Sequence, residues 1–179
     1  MVSSWLEVEF DMTTTQKAAV LPIGQAILGG LVGSIVMAMW AMMVSLFSGM
    51  GFWTPVQLIA ATWMGSQAMM HVTSGVILTG LMTHMMMGAM LGIVLAGAFA
   101  IFRIPTGPAR LLWGMGYAIV VWIVNQYAVL PIIDPMMASH MPPWAFAIGH
   151  VMFGVVAAAF ILNPSMANQG NTVLRKVAP

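Results

Sequence analysis

Four apolar runs, each long enough to match the hydrocarbon thickness of a bilayer, constrain this chain more than any other feature. They are roughly Val20 to Phe47, Val76 to Phe102, Leu111 to Ile133 and Trp144 to Leu162. In lipid every backbone N–H and C=O must find its partner inside the protein, so such runs fold as helices that span. The predicted fold class is therefore all-α integral membrane, a single domain over residues 1–179 forming a four-transmembrane-helix bundle. Composition fits a chain solvated mainly by lipid: 61% of residues are hydrophobic and only 5% are charged. The first run is read as a mature helix, because it exceeds a signal-peptide core and follows a segment containing Glu7, Glu9 and Asp11.

Proline and glycine punctuate the runs. Pro22 stands near the first, Ile104-Pro105-Thr106-Gly107-Pro108 forms a short turn, Pro131 and Pro135 close the third, Met141-Pro142-Pro143 opens the fourth, and Asn163-Pro164 follows it. Lys17, Arg103, Arg110, Arg175 and Lys176 all fall on one side of a four-span arrangement. The positive-inside rule then places both termini and the middle turn in the cytoplasm, in a membrane of the bacterial inner-membrane type. The loops Ser48 to Gly75 and Asp134 to Pro143 hold no Lys or Arg and face outward. Within the first of them, Thr54-Pro55 reads as a cap and first-turn proline. The residues from 55 to 64 then form a short interfacial helix anchored by Trp53 and Trp63, which either caps the bundle or acts as a lid or lateral docking surface.

A tandem repeat of helical hairpins is the expected internal organisation. Gly33 to Trp40 resembles Gly116 to Trp122, and His84-Met85-Met86-Met87-Gly88 resembles His150-Val151-Met152-Phe153-Gly154. Two hairpins related by an axis along the membrane normal would follow, with His84 and His150 in equivalent places. Both histidines fall roughly 9 to 12 Å below the outer ends of their spans at 1.5 Å per residue. Asn125 and Gln126 from the third span, and Met42 and Met43 from the first, reach the same layer.

An ionisable side chain at membrane depth is costly and is either functional or held by a partner. For His84 and His150 the bland account is an interhelical hydrogen bond to Asn125 or Gln126. The sharper one makes them ligands of a metal or of b-type haem, with a proton or small-solute path as a third. Gly88 and Gly154, one turn below each histidine, either give room to a porphyrin face or pack helices closely.

The chain has 21 methionines. Thioethers select Cu(I), so Met42, Met43, Met86 and Met152 join the histidines as candidate metal ligands. Met136, Met137, His140 and Met141 form a candidate outer approach to the site. Methionine as flexible apolar filler is the plainer account, including for the stripe Met82, Met86 and Met90.

Other classes are disfavoured. The net charge of +1 offers no basic cluster for a nucleic acid, and zero cysteines exclude disulfides and thiolate sites. No phosphate-binding loop, zinc-protease motif or nucleophile elbow occurs, and Glu7, Glu9, Asp11 and Asp134 lie outside the spans, so catalysis by the chain alone is not expected. The expected function is that of a small membrane subunit or accessory protein, in a larger complex or a homo-oligomer, with an intramembrane histidine site for metal or b-haem. A copper-handling or small-solute transport protein is the alternative, and a purely structural subunit the simplest case.

Overall fold

The computed structural model describes residues 22–105 and 107–161, so Lys17, Arg175, Lys176, the three N-terminal acidic residues, Val20, Thr106, Leu162 and Asn163-Pro164 lie outside the described residues. In chain order the elements are α1 (Ile23–Phe47), α2 (Thr54–Met64), α3 (Gln67–Met70), α4 (Ser74–Ile101), α5 (Ala109–Val124), a π-helical turn (Asn125–Val129), α6 (Leu130–Ile133), α7 (Pro135–His140) and α8 (Pro143–Ile161). No strand occurs among the described residues. Four stretches are long and apolar enough to cross a membrane: α1, α4, Ala109–Ile133 and α8. At 1.5 Å per residue the 25-residue α1 is about 37 Å long, against about 30 Å of hydrocarbon.

The long helices are apolar on their outsides as well as at their contacts. Ile35, Leu78, Val94, Leu112, Val120 and Ile132 are each at least half exposed. A helix hydrophobic all round needs an apolar environment on every face. The ends are built as the punctuation indicates. Gly49 (φ +76°) closes α1 while the Met50 amide donates to Ser45 O, and Arg103 (φ +51°) closes α4 while the Ile104 amide donates to Phe99 O.

Two close hairpins form the framework. A Cβ on Gly30 would run into the backbone of Gly88, and one on Gly92 into Ala26 and Gly30, so α1 and α4 touch backbone to backbone. A Cβ on Gly114 would likewise meet the backbone of Gly154, and one on Gly154 would meet Gly114 and Ala118, so α5 and α8 pair in the same way. The contacts correspond in register: Gly30 with Gly114, Ser34 with Ala118, Gly88 with Gly154, Gly92 with Ala158. This register matches His84 with His150 as the sequence suggests. It shifts the other match by one residue, setting Gly33 against Tyr117 rather than Gly116.

The hairpins join along α1 and α8. Gly29 lies against Ala157 and Phe160, Gly33 against Phe153, and Gly149 against Met37 and Trp40, while Trp40 Nε1 donates to Ala145 O at 2.9 Å. Twofold symmetry would press α4 and α5 together equally closely, yet they barely touch. In the contact register the three glycines correspond to Trp113, Tyr117 and Thr83. Side chains thus stand in α4 and α5 at the positions where α1 and α8 have none. Tyr117 bridges the gap, its Oη donating to Leu91 O at 2.9 Å.

The end of the bundle beside the α4–α5 turn is closed by a core of Ala26, Leu95, Phe99, Phe153, Ala157 and Ile161. Arg110 pins it, donating to Ile161 O and Ile104 O and lying 5.2 Å from the centre of the Phe99 ring. The opposite end is covered by α2 and α7. The helix expected along an interface is present, but Pro55, Val56, Gln57, Leu58 and Ala60 are buried, so it is tucked into the bundle. Gly80 is what admits it, since the Val56 carbonyl occupies the space a side chain there would need.

Candidate functional site: a cavity faced by two histidines

A cavity of about 520 Å³ lies between α4 on one side and the π-helical turn with α6 on the other, floored by α1 and α8 and covered by α2 and α7. Its walls are mostly apolar, with Met37, Met87, Met137 and Met141 beside Phe146 and Phe153. The polar groups are few: Ser34, Thr62, Thr83, His84, Asn125, Asp134 and His150. Wide apolar walls with a small number of polar groups are the usual makeup of a small-molecule pocket.

His150 is buried at 3% exposure and held from both sides. Its Nδ1 lies 2.9 Å from Phe146 O, and a carbonyl only accepts, so Nδ1 carries the proton. Nε2 is therefore the acceptor, taking a hydrogen bond from Asn125 Nδ2 at 3.3 Å. The Phe146 ring stands edge-on at 4.3 Å between centroids. For His84 the assignment reverses. Nε2 donates to Ser34 O at 3.0 Å, and Nδ1 is left as an acceptor without a hydrogen-bond partner among the described residues.

Asn125 reaches His150 from the π-helical turn. Pro131 has no N–H for the carbonyl of Tyr127, and its ring crowds that carbonyl, so the helix widens upstream and the Leu130 amide donates five residues back to Asn125 O. The widened turn directs Asn125 to the cavity and Gln126 to α7. Gln126 is buried, donates weakly to Ala138 O at 3.5 Å, and leaves Oε1 unpaired.

Asp134 follows directly on the third span, outside it as expected, and lines the cavity at 4% exposure. One oxygen accepts from the Met137 amide and caps α7; the other accepts from Thr62 Oγ1 at 2.9 Å and ties α2 down. Asp134-Pro135 is a cap followed by a first-turn proline, a signal present in the sequence but read only as the end of a span. Thr62, Thr83, Met37 and Met87 carried no such signal.

The remaining expected residues divide. Met137 and Met141 line the cavity. Met42 is buried elsewhere, Met152 and Met136 are half-buried outside it, and Met43 and Met86 are exposed on the bundle's exterior with Met82 and Met90. His140 is exposed and bonded to Met136 O and Ser139, and His71 is exposed too. Neither glycine leaves the room expected for a porphyrin face. The space at Gly88 is taken by Ser34, and Gly154 is closed by Gly114 and Ala118. Among the described residues no three His, Asp or Glu side chains converge on a metal position. Comparison with protein-family models, with curated proteins and with solved structures finds no match to this chain.

Proposed function

We propose that this chain is a small membrane subunit that holds an organic ligand in the outward half of the bilayer, between the second and third of four spans, with His84 and His150 as the recognising groups. The observation that carries this reading is the single cavity that both imidazoles face, with an apolar lining and a volume of about 520 Å³. That volume decides between ligand classes. A metal ion needs donors about 2.0 to 2.3 Å from one point, whereas a cavity of this size suits a molecule of many atoms. Closure of the other end by the Phe99 core and Arg110 favours a blind binding site over a channel.

The matched glycine contacts of the two hairpins support the tandem repeat, and the basic residues support cytoplasmic termini in a bacterial inner membrane. The bilayer is then the chain's first partner, with a larger complex or a homo-oligomer the setting for an accessory subunit. One specific observation keeps b-type haem among the occupants: the His150 Nδ1–H is fixed on a backbone carbonyl, the arrangement that orients an imidazole to ligate through Nε2.

The test is purification in mild detergent after expression with ample haem precursor and copper, followed by an absorption spectrum and metal analysis. A haem band that disappears in His150→Ala identifies that occupant. A colourless preparation that binds an apolar fluorophore saturably, with the signal reduced in the His84→Phe, His150→Phe double variant, supports another organic ligand. A colourless, metal-free protein that binds neither overturns the reading.

A further inference from the structure

The hydrogen-bond roles around the cavity define what a ligand must offer, given the binding function proposed above. His84 and His150 each spend their one N–H on a backbone carbonyl, Ser34 O and Phe146 O. Each neutral ring then has only an acceptor left. Of the neighbouring donors, Thr62 is spent on Asp134, Trp63 Nε1 on Thr83 and one Asn125 N–H on His150, which leaves the second Asn125 N–H and the Ser34 and Thr83 hydroxyls. No donor among the described residues reaches His84 Nδ1. At the imidazoles themselves the open hydrogen-bond positions are acceptors, and a ligand group that can only accept gains nothing there.

The walls and the way in narrow the class further. Phe146, Phe153 and the four methionine sulfurs favour an aromatic ring, through stacking and sulfur–aromatic contacts. The cavity's side between α4 and α6, where Met87 and Ile133 are exposed, would face lipid in a four-span protein, while α2 and α7 cover the end that would face water. Asp134 would attract a cation, but each of its oxygens already accepts a hydrogen bond.

We infer that the cavity receives a membrane-dissolved aromatic hydrogen-bond donor, of the alkylphenol or alkylhydroquinone class, which enters between α4 and α6 and donates to the imidazole acceptors. Binding at His150 displaces the Asn125 amide, whereas His84 Nδ1 is available without displacement.

The experiment uses the full-length protein in lipid nanodiscs, kept anaerobic and reduced, and measures saturable binding of decylhydroquinone, its dimethyl ether, decylbenzoquinone and decylamine by calorimetry against empty nanodiscs. The expected result is that the hydroquinone binds about tenfold or more tightly than the ether and the quinone, since each lost neutral hydrogen bond is worth roughly three- to tenfold. That ratio falls toward one in the His84→Phe, His150→Phe double variant. The comparison on the unmodified chain needs no variant to fold. Equal saturable binding of hydroquinone, ether and quinone overturns the donor requirement and leaves the cavity as a binding site. Tightest binding by decylamine replaces the neutral donor with a cation and also overturns it. No saturable binding by any of them, with a haem-free spectrum, overturns both this inference and the function on which it rests.

Discussion

Asn125 and His150 meet between two helices, where neither side chain has water to fall back on. The bond satisfies the imidazole acceptor, and removing the amide leaves that acceptor bare. Asn125→Ala should therefore lower stability by about 1 kcal/mol, within the range for polar contacts between membrane helices. Thermal denaturation in detergent checks this, and a midpoint equal to the unmodified protein's would mean the bond contributes nothing. Asp134 does two jobs, capping α7 and holding Thr62. Asp134→Ala should cost roughly 1 to 2 kcal/mol, and Asp134→Asn less because its amide oxygen still accepts. If both variants melt together, the second acceptor is not used. The histidines themselves are legible in the sequence as polar residues at depth. Their protonation pattern is not, because it depends on the carbonyls of Ser34 and Phe146 being presented at hydrogen-bond distance.

Helix contacts depend on which glycines face a neighbour, and α5 offers a direct comparison within one turn. A Cβ on Gly114 would collide with the Gly154 backbone and Ala158, whereas one on Gly116 would meet nothing within 4 Å. Gly114→Ala should destabilise by about 1 to 3 kcal/mol as an overpacked contact. Gly116→Ala should be neutral or stabilising by up to about 1 kcal/mol through helix propensity. Unfolding both variants in parallel tests the interface, and equal effects would argue against it. The same positions explain what was readable at this scale. The helices announce themselves by length and by Pro and Gly at their ends, and two of them share the spacing of His84 with Gly88 and of His150 with Gly154. The one-residue shift that sets Gly33 against Tyr117 is invisible in sequence, because two glycines lie close together in α5 and only the packed backbone tells which of them is buried.

For the molecule as a whole, the arrangement of charge predicts which loops face which side. The chain has no cysteine, so single substitutions report cleanly. Ser139→Cys, on exposed α7, should react with an impermeant maleimide in intact cells, and Pro105→Cys only after permeabilisation. Labelling of both in intact cells, or the reverse pattern, would contradict cytoplasmic termini. Association with other chains remains compatible with the exposed apolar exterior of α4, where Met82, Met86 and Met90 lie outside the cavity.

The sequence by itself determined that four long apolar helices form and where they stop, because run length, backbone satisfaction and turn residues are local properties of the chain. Only the tertiary structure decided that His84 and His150 share one cavity, that Asp134 lines it, and that most of the methionines do not. The physical reason lies in pairs of surfaces. Gly29, Gly33 and Gly149 let α1 and α8 close, while Trp113, Tyr117 and Thr83 stand at the corresponding positions of α4 and α5, which barely touch. Such a difference between two interfaces exists only once the helices have met.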